Sequence, residues 1–203
     1  MFDARLLPSM ARLLRRPARL LARIGCTADA ISFAGFACGA AAAVLVATGT
    51  PLAGLAALLA NRVLDGLDGA VARLSGPTDR GAFLDITLDF IFYAAVPFAF
   101  ACADPAANAL PAAALLFAFM GTASSFLAFA VLAERRRLTS TDFPHKGLFY
   151  LGGLTEGGET IACFVAMCLF PAWFPALAWG FAALCAVTTC VRLSWGFQSF
   201  GDR

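Results

Sequence analysis

The stretch DGLDGAVARLSGPTDRGAFLDITLD, residues 65–89, places a group of acidic residues inside a chain that is otherwise strongly apolar. Its five aspartates are Asp65, Asp68, Asp79, Asp85 and Asp89. Hydrophobic residues make up 61% of the 203 residues, charged residues make up 14%, and the mean hydropathy is +0.80. This composition is far from that of a soluble domain and predicts an integral membrane protein. Carboxylates inside such a chain indicate a functional site, because burying them in a membrane costs free energy.

The apolar runs around this stretch predict an all-α membrane protein with six transmembrane helices, forming a single domain over residues 1–203. The predicted spans are about 29–48, 51–74, 82–102, 109–133, 148–170 and 175–195. The loops at 48–51, 103–109 and 170–175 share one side and contain no Lys or Arg. Because basic residues concentrate on the cytoplasmic side, we expect both termini to be cytoplasmic. We expect a multi-pass protein of a bacterial inner membrane.

The N-terminal segment, residues 1–24, is predicted to be an amphipathic helix that lies in the membrane interface before the first span. Apolar residues recur at roughly helical spacing, and arginines occupy much of the remainder. Such a helix buries its apolar face among the lipids and directs its arginines toward anionic headgroups. At the start of the first span, Asp29 is the predicted N-cap.

Helix geometry predicts that the acidic residues of two consecutive spans meet at a similar depth. With a rise of about 1.5 Å per residue, Asp65 lies roughly 21 Å from the outer face of a ~30 Å core. On the antiparallel span that follows, Asp85 lies about 7 Å and Asp89 about 13 Å inward from the cytoplasmic end. Asp65 and Asp68 are three residues apart, and Asp85 and Asp89 are four apart, so each pair shares one helix face.

Carboxylates that close together need a cation between them. An oxygen-only set is what Mg²⁺ or Mn²⁺ prefers, and four carboxylates have room for two such ions. The alternative is a salt-bridge network with Arg62, Arg73 or Arg80 that only orients the two helices. Glycines around the acidic residues would let a phosphorylated ligand approach the backbone.

The stretch resembles the signature of the class I CDP-alcohol phosphatidyltransferases, which are integral membrane enzymes. The signature is DxxDGxxAR followed by GxxxDxxxD, and its fixed residues stand here as Asp65, Asp68, Gly69, Ala72, Arg73, Gly81, Asp85 and Asp89. Between Arg73 and Gly81 this chain has one residue fewer than the family pattern, which affects the loop between the helices.

The resemblance implies a reaction and a role for each residue of the signature. An alcohol would attack the phosphate of a CDP-alcohol, with CDP-diacylglycerol as the expected donor, and CMP would leave. The metal ligands implied are Asp65, Asp68, Asp85 and Asp89, with Asp89 also the catalytic base. The implied contacts to CDP are Gly69, Ala72, Arg73 and Gly81. By resemblance alone we expect a homodimer, with lipids as surroundings and no nucleic-acid partner.

The alcohol acceptor is not identified by the sequence. Arg80, Glu156 and Glu159 are candidate acceptor contacts, and the two glutamates are equally compatible with capping the fifth span. Arg80 and the basic residues 135–137 would suit a phosphorylated acceptor. A function of a different class is a cation-coupled transporter that uses the same carboxylates. A transporter predicts carboxylates near the bilayer centre and two related halves, whereas the acids here lie toward one face and occur once.

Overall fold

A computed structural model describes residues 2–136 and 154–201, with side chains described from residue 13 onward. Within these ranges the chain is helical and contains no strand. The helices are α1 (Phe2–Arg23), α2 (Ala28–Ala47), α3 (Pro51–Ser75), α4 (Asp79–Ala103), α5 (Pro105–Arg135), α6 (Gly157–Leu169) and α7 (Phe174–Phe200), with a 3₁₀ turn at Pro171–Trp173 before α7. The predicted all-α class is confirmed.

Four segments of the described chain are long and apolar enough to cross a membrane: Ala28–Ala47, Asp79–Ala103, Pro105–Arg135 and Pro171–Phe200. They coincide with four of the six predicted spans. Helix α3 is as long as α4 but less apolar, and it contains Arg62, Asp65, Asp68 and Arg73. Helix α6 has 13 residues, fewer than a perpendicular crossing requires. The predicted start of the fifth span near residue 148 lies outside the described residues, so six spans remain a prediction.

Helix α2 packs against α3 and α4, and α5 packs against α4 and α7. The shared core contains large aromatic side chains. Phe92 meets Phe164 edge to face at 6.3 Å between ring centroids, and Phe100 stacks on Phe174 at 4.5 Å. Outside this core, many large apolar side chains are exposed on the helices. Apolar side chains pointing outward are expected where the surrounding medium is lipid.

Helix α1 lies against α3, beside the acidic stretch. The fully buried Ala18 packs with Leu67 and Val71 of α3. On α1, Leu13 and Leu20 are exposed, as are Arg15 and Arg19. The helix therefore combines a packed face with exposed apolar and basic side chains, and its placement at the membrane interface remains a prediction.

The predicted capping of α2 by Asp29 is wrong. Thr27 is the N-cap, and its hydroxyl oxygen accepts a hydrogen bond of 3.2 Å from the backbone N–H of Ala30. Asp29 lies in the first turn and instead binds Arg80, at the start of α4, with 2.5 Å between the charged atoms. Threonine and aspartate both cap helices well, so the capping preference alone did not separate the two positions.

Candidate active site

Three carboxylates from α3 and α4 converge where the two helices approach the turn that joins them. Asp65, Asp68 and Asp85 each offer an oxygen atom, and these oxygens all lie within 4.8 Å of one another. Asp68 is 6% exposed, whereas Asp85 is open to the surroundings. The site therefore has a closed side on α3 and an accessible side on α4.

Asp89, the last aspartate of the stretch, lines the same cleft as these three and is paired with an arginine. Nη2 of Arg62 donates a hydrogen bond of 2.9 Å to Oδ1 of Asp89. Nη1 of the same guanidinium lies 3.5 Å from Oδ2 of Asp65. Arg62 thus joins α3 to α4. This is the contact expected if a salt-bridge network orients the two helices. Asp65, which this guanidinium also contacts, still forms an oxygen cluster with Asp68 and Asp85.

The first span also contributes to the site. The hydroxyl group of Ser32 on α2 donates a hydrogen bond of 2.6 Å to Oδ2 of Asp68. Ser32, Gly35 and Phe36 line the same cleft as the four aspartates. This contact fixes the orientation of the most buried carboxylate. It was not predicted from the sequence.

The residues that the resemblance assigns to CDP lie around the turn between α3 and α4. A Cβ atom on Gly69 would lie 3.4 Å from the guanidinium of Arg73, and one on Gly81 would lie 3.2 Å from Oγ1 of Thr78. The short loop turns at Gly76, whose φ of 93° favours glycine. Thr78 then caps α4 by accepting a 3.0 Å hydrogen bond from the N–H of Gly81. The loop in which this chain has one residue fewer than the family pattern joins α3 to α4, and Ala72 lies on the last turns of α3.

The candidate acceptor contacts lie at the starts of two different helices, α4 and α6. Arg80 is 80% exposed in its side chain and pairs with Asp29. Glu156 precedes α6, and its backbone N–H donates a 3.2 Å hydrogen bond to Oε2 of Glu159. This geometry supports the capping role for Glu159, and contact with an acceptor remains a prediction. Arg136 donates to the backbone oxygens of Ser199 and Phe200 at the end of α7, and Arg137 lies outside the described residues.

The cluster fits a divalent ion by its donor set. Asp65, Asp68 and Asp85 supply only oxygen, at separations that allow one ion to contact all three. Hard oxygen donors with negative charge suit Mg²⁺ and Mn²⁺ better than ions that favour sulfur or imidazole.

One buried arginine was missed by the sequence analysis. Arg192 on α7 is 8% exposed, donates a 3.0 Å hydrogen bond to the backbone oxygen of Thr122, and lies 5.7 Å from the ring of Phe126. It therefore joins α5 to α7. A single arginine near the end of an apolar run was the available signal, since such a residue is costly inside a membrane and is usually functional or paired.

Comparison with known proteins gives the geometry a family context. The chain is 52% identical over 197 residues to the inner membrane protein YnjF of Escherichia coli, covering 97% of this chain and 96% of that protein. It is also 47% identical over 68 residues to an archaetidylinositol phosphate synthase of Methanothermobacter thermautotrophicus, covering 33% of this chain and 35% of that enzyme.

Solved structures of a phosphatidylinositol phosphate synthase of Mycobacterium tuberculosis are similar over most of the chain. The structure with CDP-DAG bound has a TM-score of 0.72 and 26% identity, covering 95% of this chain and 98% of that one. The complex of the same enzyme with manganese and citrate has a TM-score of 0.72 and 26% identity, covering 94% of this chain and 92% of that one.

The family match agrees with the motif and with the helical arrangement. Residues 26–192 match the CDP-alcohol phosphatidyltransferase family. This range includes the acidic cluster and every helix except α1 and the end of α7. The match favours phosphatidyl transfer in phospholipid synthesis over cation-coupled transport. The chain is a multi-pass membrane protein and belongs to the CDP-alcohol phosphatidyltransferase family.

Proposed function

We propose that the protein transfers the phosphatidyl group of CDP-diacylglycerol to an alcohol acceptor and releases CMP. The observation that carries the proposal is the convergence of Asp65, Asp68 and Asp85 within a complete family signature. The CDP-DAG complex of the mycobacterial enzyme, which has a similar fold, supports this choice of donor. The manganese complex of the same enzyme supports a divalent metal.

In the proposed site, Asp65, Asp68 and Asp85 would hold the metal, and Asp89, which lines the same cleft, would complete a site for two ions. A bound divalent ion would offset the negative charge of the pyrophosphate and stabilise the departing phosphate. Arg73 offers a planar set of N–H donors to the CDP phosphates beside Gly69. Ala72 and Gly81 are small and leave the nucleotide room next to the helix backbone.

The proposed transfer is a substitution at the phosphorus atom attached to diacylglycerol. The acceptor oxygen forms a bond to phosphorus, the bond from phosphorus to the CMP oxygen breaks, and CMP leaves with the bonding electrons. Asp89 takes the proton from the acceptor hydroxyl, because a carboxylate within hydrogen-bond reach raises the nucleophilicity of an alcohol. The exposed side of the site at Asp85 would give the acceptor a route in.

The acceptor we favour carries a phosphate group. The names of the two synthases similar to this chain describe inositol phosphate lipids as products. Arg80 and Arg135 are exposed on α4 and α5, where cationic side chains would attract a phosphorylated polyol. Glu159 near the start of α6 would contribute by binding hydroxyl groups.

The proposed orientation places the acidic cluster and both termini on the cytoplasmic side of the bacterial inner membrane. The basic residues of α1 and the C-terminal end of α5 support this orientation. The diacylglycerol chains then remain in the bilayer while the CDP headgroup reaches the site from the cytoplasmic leaflet. We expect the active form to be a homodimer.

The proposal is tested by CMP release from CDP-diacylglycerol by the purified protein, with Mg²⁺ or Mn²⁺ and a panel of acceptors. The panel contains inositol phosphate, glycerol phosphate, inositol, serine and glycerol. We expect release to depend on one acceptor and to fall by at least about 100-fold in Asp89→Asn. Asp79→Asn is the matched control, because Asp79 belongs to the same stretch but is exposed in the first turn of α4. If no acceptor stimulates CMP release by folded, metal-binding protein, the proposed donor or the proposed reaction is wrong.

A further inference from the structure

We propose that Arg62 is a built-in cation of the acidic site, which positions Asp89 and weakens the binding of divalent ions beside it. The inference rests on the proposed function for the role of Asp89 as a base. It assigns to Arg62 a task that the family signature does not contain, because Arg62 precedes the first aspartate of that signature. Arg62 is a positioning residue, and it acts through Asp89 and Asp65.

The guanidinium of Arg62 is held on its edges and on its face. Nε donates a hydrogen bond of 2.7 Å to Oδ1 of Asn61, Nη2 donates to Asp89 at 2.9 Å, and Nη1 lies 3.5 Å from Asp65. The plane lies over the ring of Phe92, with 4.6 Å between the central carbon and the ring centroid. Guanidinium groups stack well on aromatic faces while their edges donate hydrogen bonds.

The residue that holds Nε is itself fixed. Asn61 is 3% exposed, and its Nδ2 donates a 2.8 Å hydrogen bond to the backbone oxygen of Gly35 on α2. The side chain of Arg62 is 16% exposed. A cation with this many fixed contacts has little freedom to leave, so Arg62 remains in the site when the surrounding ligands change.

The charge of Arg62 has a direct effect on the carboxylates. Asp65, Asp68, Asp85 and Asp89 contribute four negative charges when ionised, and the guanidinium of Arg62 offsets one of them. Arg62 contacts Asp89 and Asp65 but is not within salt-bridge distance of Asp68 or Asp85 among the described pairs. Its positive charge therefore opposes a metal ion most strongly on the Asp89 side of the site.

This arrangement predicts that two metal ions bind with different affinities. The cluster of Asp65, Asp68 and Asp85 binds the first ion, because its oxygens already converge. A second ion next to Asp89 must share that carboxylate with Arg62, so it binds more weakly. Weak binding of the second ion leaves the other oxygen of Asp89 available for the acceptor proton, while Arg62 holds Oδ1.

The test is a titration of purified protein with Mn²⁺, following free Mn²⁺ by electron paramagnetic resonance, without donor or acceptor. Arg62→Met removes the charge and keeps an unbranched side chain, Arg62→Lys keeps the charge but loses the planar fork, and Arg80→Met is the control arginine on α4. We expect the weaker Mn²⁺ site to tighten at least about tenfold in Arg62→Met, because a unit charge close to a divalent ion is removed. Arg62→Lys and Arg80→Met should stay within about threefold of the wild type.

The direction of the change in Mn²⁺ affinity distinguishes the proposed role of Arg62 from simple structural support, because damage to the fold would weaken Mn²⁺ binding. Monodisperse Arg62→Met protein with unchanged or weaker Mn²⁺ binding would overturn the proposal. If Arg62→Met does not purify as a monodisperse protein, Arg62→Lys provides the test. We expect its kcat to fall at least about tenfold and its KM for the donor to stay within about threefold of the wild type. An unchanged kcat in Arg62→Lys would overturn the positioning of Asp89.

The Mn²⁺ titration also separates this inference from the proposed reaction. In one outcome, Arg62→Met binds Mn²⁺ more tightly, but the wild type releases no CMP with any acceptor. This outcome would contradict the proposed transfer and support the role of Arg62 as a site cation. CMP release by the wild type, with no change of Mn²⁺ binding in Arg62→Met, would contradict the role of Arg62 and leave the reaction in place.

Discussion

Replacing Ser32 with alanine removes the hydroxyl group that orients the most buried carboxylate of the site. This hydroxyl donates a 2.6 Å hydrogen bond to Oδ2 of Asp68, and Asp68 is 6% exposed, so water has little room to replace it. A hydrogen bond to a charged group contributes about 1.5–3 kcal/mol. Loss of a group that orients a metal ligand costs about 10–100-fold in metal affinity or activity. We expect Ser32→Ala to weaken Mn²⁺ binding by that factor.

The assay is CMP release measured as a function of Mn²⁺ concentration, beside direct Mn²⁺ titration of the same preparation. Excess Mn²⁺ should restore most of the activity of Ser32→Ala, because the hydroxyl orients a ligand and does not react. Ser32→Thr keeps a hydroxyl donor at the position. Ser124→Ala is the control, since Ser124 is exposed on α5 and donates only to the backbone oxygen of Gly121.

Two results would refute this reasoning. Mn²⁺ affinity within about threefold of the wild type in folded Ser32→Ala would show that the hydrogen bond to Asp68 does not control the metal site. A loss of kcat that excess Mn²⁺ does not restore would place the hydroxyl on the substrate instead of on Asp68.

Three further substitutions address the ligands, the packing and the surface. Asp85→Asn should reduce both Mn²⁺ affinity and CMP release at least about 100-fold, because it removes one of three converging carboxylates, and near-normal binding would exclude Asp85 as a ligand. Gly39→Val should lower the thermal unfolding midpoint in detergent, since a Cβ there would lie 2.7 Å from Phe92, whereas an unchanged midpoint would show that Phe92 moves freely. Asp29→Asn should change Mn²⁺ affinity less than about threefold, because its partner Arg80 is mostly exposed, and a larger change would show that the Asp29 and Arg80 pair supports the metal site.

The sequence predicted the helical class and the convergence of acidic residues from two antiparallel helices. Depth along a helix follows from residue number, so Asp65 and Asp85 could be placed at a similar level. The rotation of each helix about its axis cannot be derived from residue number in this way. The structure brings Asp65, Asp68 and Asp85 together, and Asp89 turns toward Arg62.

The partners of the aspartates were less predictable because they depend on which helices pack together. Ser32 is 36 residues from Asp68 in the chain, and no local pattern links them. Arg62 was one of three arginines near the cluster, and their spacing did not rank them. The structure shows Arg62 paired with Asp89 of the acidic site. It shows Arg80 paired with Asp29, the predicted N-cap of α2.

Helix α2 joins the packing of the protein to the chemistry of its site. Ser32, Gly35 and Gly39 are three and four residues apart, so they share one helix face. Cβ atoms on the two glycines would lie 3.3 Å from Leu64 and 2.7 Å from Phe92, respectively. Small residues let membrane helices approach closely, and here the approach brings the hydroxyl of Ser32 to Asp68.

The same close approach of α2 places the backbone oxygen of Gly35 within hydrogen-bond distance of Asn61. Asn61 in turn accepts a hydrogen bond from Arg62. A larger residue on this face would therefore disturb both Asp68 and Asp89, although α2 contributes none of the four carboxylates. The first span consequently determines the geometry of the acidic site through contacts that its apolar composition does not reveal.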